Sequence, residues 1–241
     1  GRNRDDYYQS PLFGRTDLAD RTRFGYFSPY LMYEKNTLNR KMYADRGQHV
    51  LATARFVTGF EQHRPGTTSP SGEPAQKNHH WWQIRASYLN YFTRRGSSSL
   101  GLFGELTLSN KNLFSNYNSS LLSAPAFEHV PQSRTLFLPR YRANNFAVLG
   151  LHHVYNLSRL IDIRTEAYVF QPFREIIAGE NNKAEYGAVF RNRYLLISGA
   201  IVANTPIGPL SINLNYFDRH DDPLALSVNF GYLLFNRKPL Q

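Results

Sequence analysis

Residues 192–237, NRYLLISGAIVANTPIGPLSINLNYFDRHDDPLALSVNFGYLLFNR, decide the fold class of this chain. They run as an apolar-alternating segment, a tight turn, a second alternating segment, a polar tip and a third alternating segment, which reads as a β-meander. In the middle segment Leu210, Ile212, Leu214 and Tyr216 share one parity, while Ser211, Asn213 and Asn215 take the other. Successive side chains of a strand point to opposite faces, so one face is greasy and the other polar. The last segment repeats the pattern: Leu224, Leu226, Val228, Phe230, Tyr232 and Leu234 alternate with Ala225, Ser227, Asn229 and Gly231. That run of about 11 residues is the length a tilted strand needs to cross a bilayer.

Composition narrows the alternatives. With 17 Phe and 16 Tyr among 241 residues, there is apolar surface for one large domain. Uninterrupted aliphatic runs such as Leu195 to Ile197 fall far short of the ~20 apolar residues of a spanning helix, so crossing by helices is excluded. The negative mean hydropathy does not exclude a membrane barrel, because half of each of its strands faces a polar interior. The absence of cysteine removes thiolate catalysis, cysteine-based zinc sites and disulfides together. Gly1 stands where an initiator Met would, so the chain reads as processed or as part of a longer one. A net charge of +10 suits nucleic acid, anionic lipid or lipopolysaccharide. Its distribution decides: basic residues such as Arg94, Arg95, Arg140 and Arg142 crowd loops and turns, with no alternating basic and aromatic groove for single-stranded nucleic acid.

The alternation recurs along the whole chain. Residues 1–20 read as a loop or incomplete strand, broken by Pro11 and Gly14. Nine strand candidates follow, at 21–34, 48–60, 81–93, 98–109, 144–156, 160–171, 187–204, 208–217 and 224–236. Pro29 in the first has to sit at a bulge or an unpaired edge. The short turns RRGSS, NLSR and TPIGP alternate with long loops near 61–80, 110–143 and 172–186. Short connections on one side and long ones on the other are the habit of outer-membrane barrels. Residues 21–241 are therefore expected to form an all-β, transmembrane antiparallel barrel, with the NTLNRK connection on the short-turn side and residues 1–20 on the long-loop side. Nine is odd, whereas single-chain bacterial barrels have even strand numbers. At least one further N-terminal strand is expected, hidden in residues 1–20 or absent from this chain.

Charge placement follows from the same parity. Arg55, Arg85, Glu105, Asp162, Arg164 and Glu166 lie mid-strand on the face opposite the apolar one. A lysine or arginine on the lipid face costs roughly 2–4 kcal/mol at the bilayer midplane, so all six are expected to face the lumen. Their mixed signs suit pairing across strands and a plugged or narrow interior. Trp81, Trp82, Tyr88, Tyr91, Phe92, Tyr155, Phe170, Tyr194, Tyr216 and Tyr232 are candidates for interfacial aromatic girdles or for ordinary packing.

Chemical motifs are sparse. The nearest approach to a nucleophile elbow, GSSSLG at 96–101, has one residue too many and sits in a turn. His79–His80 and His152–His153 are adjacent, so on a strand their rings face opposite ways and cannot easily share a metal. Asp218, His220, Asp221 and Asp222 read as a solvated turn rather than a cation site. Asp162 and Glu166 flank Arg164, which favours ion pairing over an acid pair. No catalytic residue, metal site or cofactor is expected.

One resemblance adds to this. FSPYLMYEKNTLNRKMYADRGQHVLATARFVTGFEQHRPGTTS, followed by TPIGPLSINLNYFDRHDDPLALSVNFGYLLFNRKPL, resembles the C-terminal barrel of the Omp85 superfamily (bacterial surface antigen, D15 type), most of all the version fused to patatin-like phospholipases in Bacteroidetes. The resemblance implies a 16-stranded outer-membrane barrel of which this chain supplies the C-terminal part, preceded by POTRA modules and a lipase domain that the chain does not contain. Two features depart from the family: the R-G-F/Y loop motif is missing, and the terminal insertion signal has to be read at Asn229, Gly231, Leu234 and Phe235 although NRKPLQ follows it. The function implied is a non-enzymatic barrel that anchors or displays a periplasmic patatin-like phospholipase module. An outer-membrane assembly or translocation factor is the alternative within the family, and a soluble all-β binding module the alternative outside it. Expected partners are outer-membrane lipid and lipopolysaccharide, and the outer-membrane assembly machinery during insertion, with a homodimer or membrane complex open and no nucleic acid.

Overall fold

The structure, a computed structural model, describes residues 1–10, 12–70, 73–129 and 136–231. Its strands are β1 (Arg2–Tyr7), β2 (Asp20–Phe27), β3 (Tyr30–Asn36), β4 (Gly47–Arg64), β5 (Ala75–Arg95), β6 (Ser98–Ser109), β7 (Phe146–Asn156), β8 (Ile161–Pro172), β9 (Ile176–Ala178), β10 (Ala184–Tyr186), β11 (Tyr194–Thr205), β12 (Gly208–Phe217) and β13 (Leu224–Phe230). Among the described residues one short α-helix, α1 (Tyr117–Ser123), interrupts them.

The chain is all-β and antiparallel. The main sheet follows the order β1-β2-β4-β5-β6-β7-β8-β11-β12-β13, a continuous meander, while β9 and β10 form a small hairpin of their own. β2 and β3 lie end to end along β4, β2 pairing with residues 58–64 and β3 with residues 49–55. The single strand expected over 21–34 is thus two, broken at Ser28–Pro29. Pro29 has no N–H to donate, but its carbonyl still accepts from Phe56 N at 3.1 Å, so the break falls on an edge as a proline requires. β1 and β13 each pair with one neighbour, and among the described residues the sheet is open rather than closed.

Several boundaries differ from expectation. β1 pairs with β2 over six residues, so the first 20 residues carry a strand. β4 and β5, with 18 and 21 residues, run well beyond 48–60 and 81–93; at ~3.4 Å per residue, β5 is about 70 Å long, and the loop expected over 61–80 shrinks accordingly. The strand expected from 187 begins only at Tyr194, because the chain before it turns through Phe190 at φ +52°, a left-handed conformation that no strand accommodates.

The connections segregate by end. The turns after β5, β7 and β11 are short, and the β3–β4 turn (37–46) lies with them, since Arg40 pairs with Asp162 at the start of β8 and Tyr43 Oη meets Ser211 Oγ of β12 at 2.8 Å. At the other end the chain before β2 meets the β4–β5 connection, Leu18 N donating to Thr67 Oγ1 and Gln9 N to Thr68 Oγ1. Asn182, between β9 and β10, reaches Gln9 at that same end.

One face of the sheet is covered from within. The segment between β6 and β7 folds across it, started by α1, whose N-cap Asn116 accepts Ser119 N at 2.9 Å through Oδ1. Further along, Phe127 and Tyr141 pack onto Phe146, Val148, Tyr168, Phe170, Tyr194, Leu196 and Phe217. A second cluster joins Phe24, Tyr26, Val57 and Trp81 to Phe114 of the covering segment. The uncovered face carries Leu102, Leu106, Leu149, Leu151, Ile163, Val169, Ile197, Ile201, Ile212, Leu214, Leu226 and Val228, all exposed.

Candidate functional site

The two faces invert the arrangement of a water-soluble sheet. Along β12 the exposed residues are Leu210, Ile212, Leu214 and Tyr216, while Ser211, Asn213 and Asn215 are buried. β8 does the same, exposing Ile161, Ile163 and Val169 and burying Asp162, Arg164 and Glu166. A monomer in water rarely exposes a contiguous apolar patch larger than a few hundred Å². Here the apolar parity stays exposed from β4 to β13, strand after strand.

Buried charge on the covered face is paired. Arg85 Nη2 lies 2.8 Å from Glu105 Oε1 across β5 and β6. Asp162, fully buried, pairs with Arg40 from the β3–β4 turn and accepts from Asn156 Nδ2 at 2.7 Å and Asn204 Nδ2 at 2.8 Å. Arg164 donates to Ala44 O and Tyr91 Oη, both at 2.9 Å, and lies 3.3 Å from Glu166 Oε1. Tyr168 Oη donates to Glu166 Oε2 at 2.7 Å and meets His152 Nε2 at 2.9 Å. All six charges singled out from sequence therefore share this face; Arg55, partly exposed, stacks its guanidinium over Tyr30. A charge out of water is tolerable only when paired and fully hydrogen-bonded, and this network meets that condition for Asp162, Arg164 and Glu166.

The other candidates separate cleanly. His79 is buried on Glu61 Oε2 at 2.7 Å while His80 is exposed; His152 is buried while His153 is exposed beside Ser98. Asp218 pairs with Arg219 at 3.7 Å in an open turn, and no metal-ligating cluster occurs among the described residues. Of the girdle candidates, Trp82, Tyr88, Phe92, Tyr155 and Tyr216 are exposed on the outer face, whereas Trp81, Phe170 and Tyr194 are buried on the inner one. For the insertion signal, Asn229 pairs with Ser211 and Gly231, at φ +83°, donates to Pro209 O at 2.9 Å; Leu234, Phe235 and Tyr232 lie outside the described residues.

Three features carried no sequence signal. The β3–β4 turn is tucked inward: Asn39 Oδ1 accepts from Asp45 N and Arg46 N, both at 3.1 Å, and Ala44 is buried. Burial pushes the Asp45 carboxyl up, but the Asn39 amide and the charges of Arg40 and Arg46 outweigh it and hold the group below its ordinary range. Lys111, just past β6, is buried; its Nζ donates to Ser123 O at 2.6 Å and sits 5.0 Å from the Trp81 ring and 4.9 Å from the Phe114 ring. Burial brings its pKa down to about 7. His129 is likewise pushed down by burial, to about 4, although its contact with Asn215 Oδ1 at 3.1 Å works in the opposite direction. No element of the β6–β7 segment has the periodicity that would have announced these positions.

Comparison with known proteins finds no matching family model, no matching curated protein and no matching solved structure.

Proposed function

We propose that this chain is part of the wall of an outer-membrane β-barrel, of the Omp85 type, that works as a membrane anchor rather than as an enzyme. The observation that carries the reading is the inversion of the sheet: an apolar face exposed along nearly every strand, over a face whose charges are buried and paired. Lipid is the solvent in which that arrangement costs nothing, since a barrel alternates apolar-out with polar-in. Among the described residues β1 and β13, at the ends of the sheet, each pair with a single neighbour, which leaves room for further strands, and a bilayer demands them because it satisfies no open backbone groups. The Omp85 assignment rests on the residue resemblance alone, and with it the idea that the anchored module is a patatin-like phospholipase.

The absence of native cysteine allows a clean test of the membrane reading. Single cysteines at positions 211–216, spin-labelled and reconstituted in phosphatidylcholine vesicles, should alternate in their collisions with oxygen, which concentrates in lipid. Positions 212, 214 and 216 should be high and 211, 213 and 215 low. Free access of a water-soluble nickel chelate to positions 212 and 214 would make this a soluble sheet and end the proposal.

A further inference from the structure

We propose that a cleft at the short-turn end of the sheet binds a phosphate ester. The cleft, of about 410 Å³, lies between the inturned β3–β4 connection and the turns after β5 and β7, and four guanidinium groups line it: Arg40, Arg46, Arg94 and Arg159. Asp45 is the single carboxylate among the lining residues. Arg40 is held by Asp162 and Arg46 lies 3.8 Å from Asp45. Arg94 and Arg159 make no ion pair among the described residues and are exposed.

The backbone aims these groups. In β5 the pairing with β6 slips between Tyr91 and Thr93, leaving Phe92 as the extra residue of a bulge. Before the slip, even-numbered residues such as Trp82 and Ile84 face outward. After it Arg94 pairs with buried Ser99 and so shares the inner side, while Arg95 takes the outer. A bulge is a device for re-aiming a side chain in this way. On the other wall, the Asn39–Asp45 hydrogen bond of 2.5 Å fixes the turn that presents Arg40 and Arg46.

The chemistry follows from the donors. A guanidinium presents a planar fork that matches phosphate oxygens, with affinity raised by charge. Two guanidiniums without carboxylate partners, flanked by two that are partly neutralised, leave an unbalanced positive field over a concave site, and a phosphate mono- or diester balances it. The cleft is rimmed by exposed Leu157, next to the apolar face, so a phospholipid headgroup and a free phosphate ester are the two sources of that chemistry. The lipid source rests on the membrane reading above; the free-phosphate source does not.

The test is native mass spectrometry of the chain in detergent micelles, titrated with phosphatidylglycerol, with phosphatidylcholine, and with inorganic phosphate as competitor. Phosphatidylglycerol should be retained over phosphatidylcholine, and R94Q/R159Q should weaken its binding at least about tenfold, the scale of one charge-assisted hydrogen bond. R64Q/R95Q removes the same charge from exposed positions outside the cleft and should leave binding unchanged. Single R159Q, in an exposed turn, serves if the double variant misfolds. Competition by inorganic phosphate assigns the site to any phosphate ester, and its failure to compete assigns it to the lipid headgroup. Equal retention of both lipids with no phosphate binding, or equal loss in both double variants, overturns the site. That result with the spin-label alternation intact refutes the cleft alone, whereas loss of the alternation refutes the membrane reading.

Discussion

Trp81 and Trp82 are neighbours in sequence and opposites in environment: Trp81 is 2% exposed beneath Phe114, and Trp82 is 45% exposed on the outer face beside Ile84. They are the only two tryptophans, so the pair is a built-in probe of which face meets lipid. In vesicles containing bromine-labelled phosphatidylcholine, W81F, which leaves Trp82 emitting, should lose most of its fluorescence. W82F, which leaves Trp81, should lose little. The reverse order, or equal quenching, contradicts a lipid-facing outer surface.

The parity of β6, β8, β12 and β13 was legible because each strand has one polar and one apolar face, and a period of two admits one reading. β1 was hard to see for the opposite reason. RNRDDY offers no apolar residue before Tyr7, and its place in the sheet comes from backbone pairing with β2 and from ion pairs such as Asp6 with Arg21 at 2.8 Å. Five of the first six residues of β5, AQKNHH, are polar in the same way, and the six continue the strand by pairing with 58–63 of β4. The inturned β3–β4 connection was beyond reach, since Arg40 meets Asp162 across 122 positions and local sequence carries no trace of so distant a partner. The place of Phe103 between Gly101 and Glu105 on the inner face likewise depends on partners distant in sequence, Phe127 of the covering segment and Tyr168 of β8.

Arg40 and Asp162 form the pair that fastens that connection to β8. Asp162 has no exposure to solvent and keeps two amide donors, Asn156 and Asn204, when Arg40 is removed. Breaking a buried pair from one side costs about 3–5 kcal/mol, because the remaining charge stays uncompensated; with two donors left, and Arg40 itself partly exposed, R40A should fall near or below the lower bound. D162N in the R40A background removes the stranded charge and should recover part of the loss. Urea unfolding midpoints of the four proteins in micelles measure this cycle, and strict additivity would show that the two residues do not interact.

Lys111 sets a pH dependence in the alkaline range, well above the window in which carboxylates titrate. Its pKa in the folded chain is about 7 against an ordinary 10.5, because burial disfavours the ammonium. Between those values the unfolded chain holds the proton more firmly, so stability rises with pH across that window and is flat with respect to this group below it. The steepest slope is about 1.4 kcal/mol per pH unit for one proton. K111M should lack that slope, so that the stability of the parent relative to the variant grows from pH 7 to pH 10 and the variant's own change across that interval is smaller than the parent's. Parallel stability profiles for the two proteins across this range would place Lys111 in water.

Gly47 ends the inturned connection and opens β4 at φ +92°, where a Cβ would stand 2.2 Å from Thr37 O. Two costs therefore add on substitution: the left-handed backbone, about 1–2 kcal/mol for a residue with a Cβ, and a clash with main chain that cannot move without breaking Thr37 N to Gln48 O, 2.8 Å long. Gly96, in the turn after β5, offers the control. Its φ is +58° and nothing lies within 4 Å of its Cβ position, so G96A should carry the backbone cost alone. G47A should be the more destabilised by at least a further ~1 kcal/mol, the scale of overpacking strain. It should also free the turn from the sheet, so that cross-linking between cysteines placed at Tyr43 and Ser211, side chains in contact in the parent, falls while G96A leaves it intact. Equal stability of G47A and G96A would mean that the tucked turn is held by its hydrogen bonds and not by the glycine that lets it close.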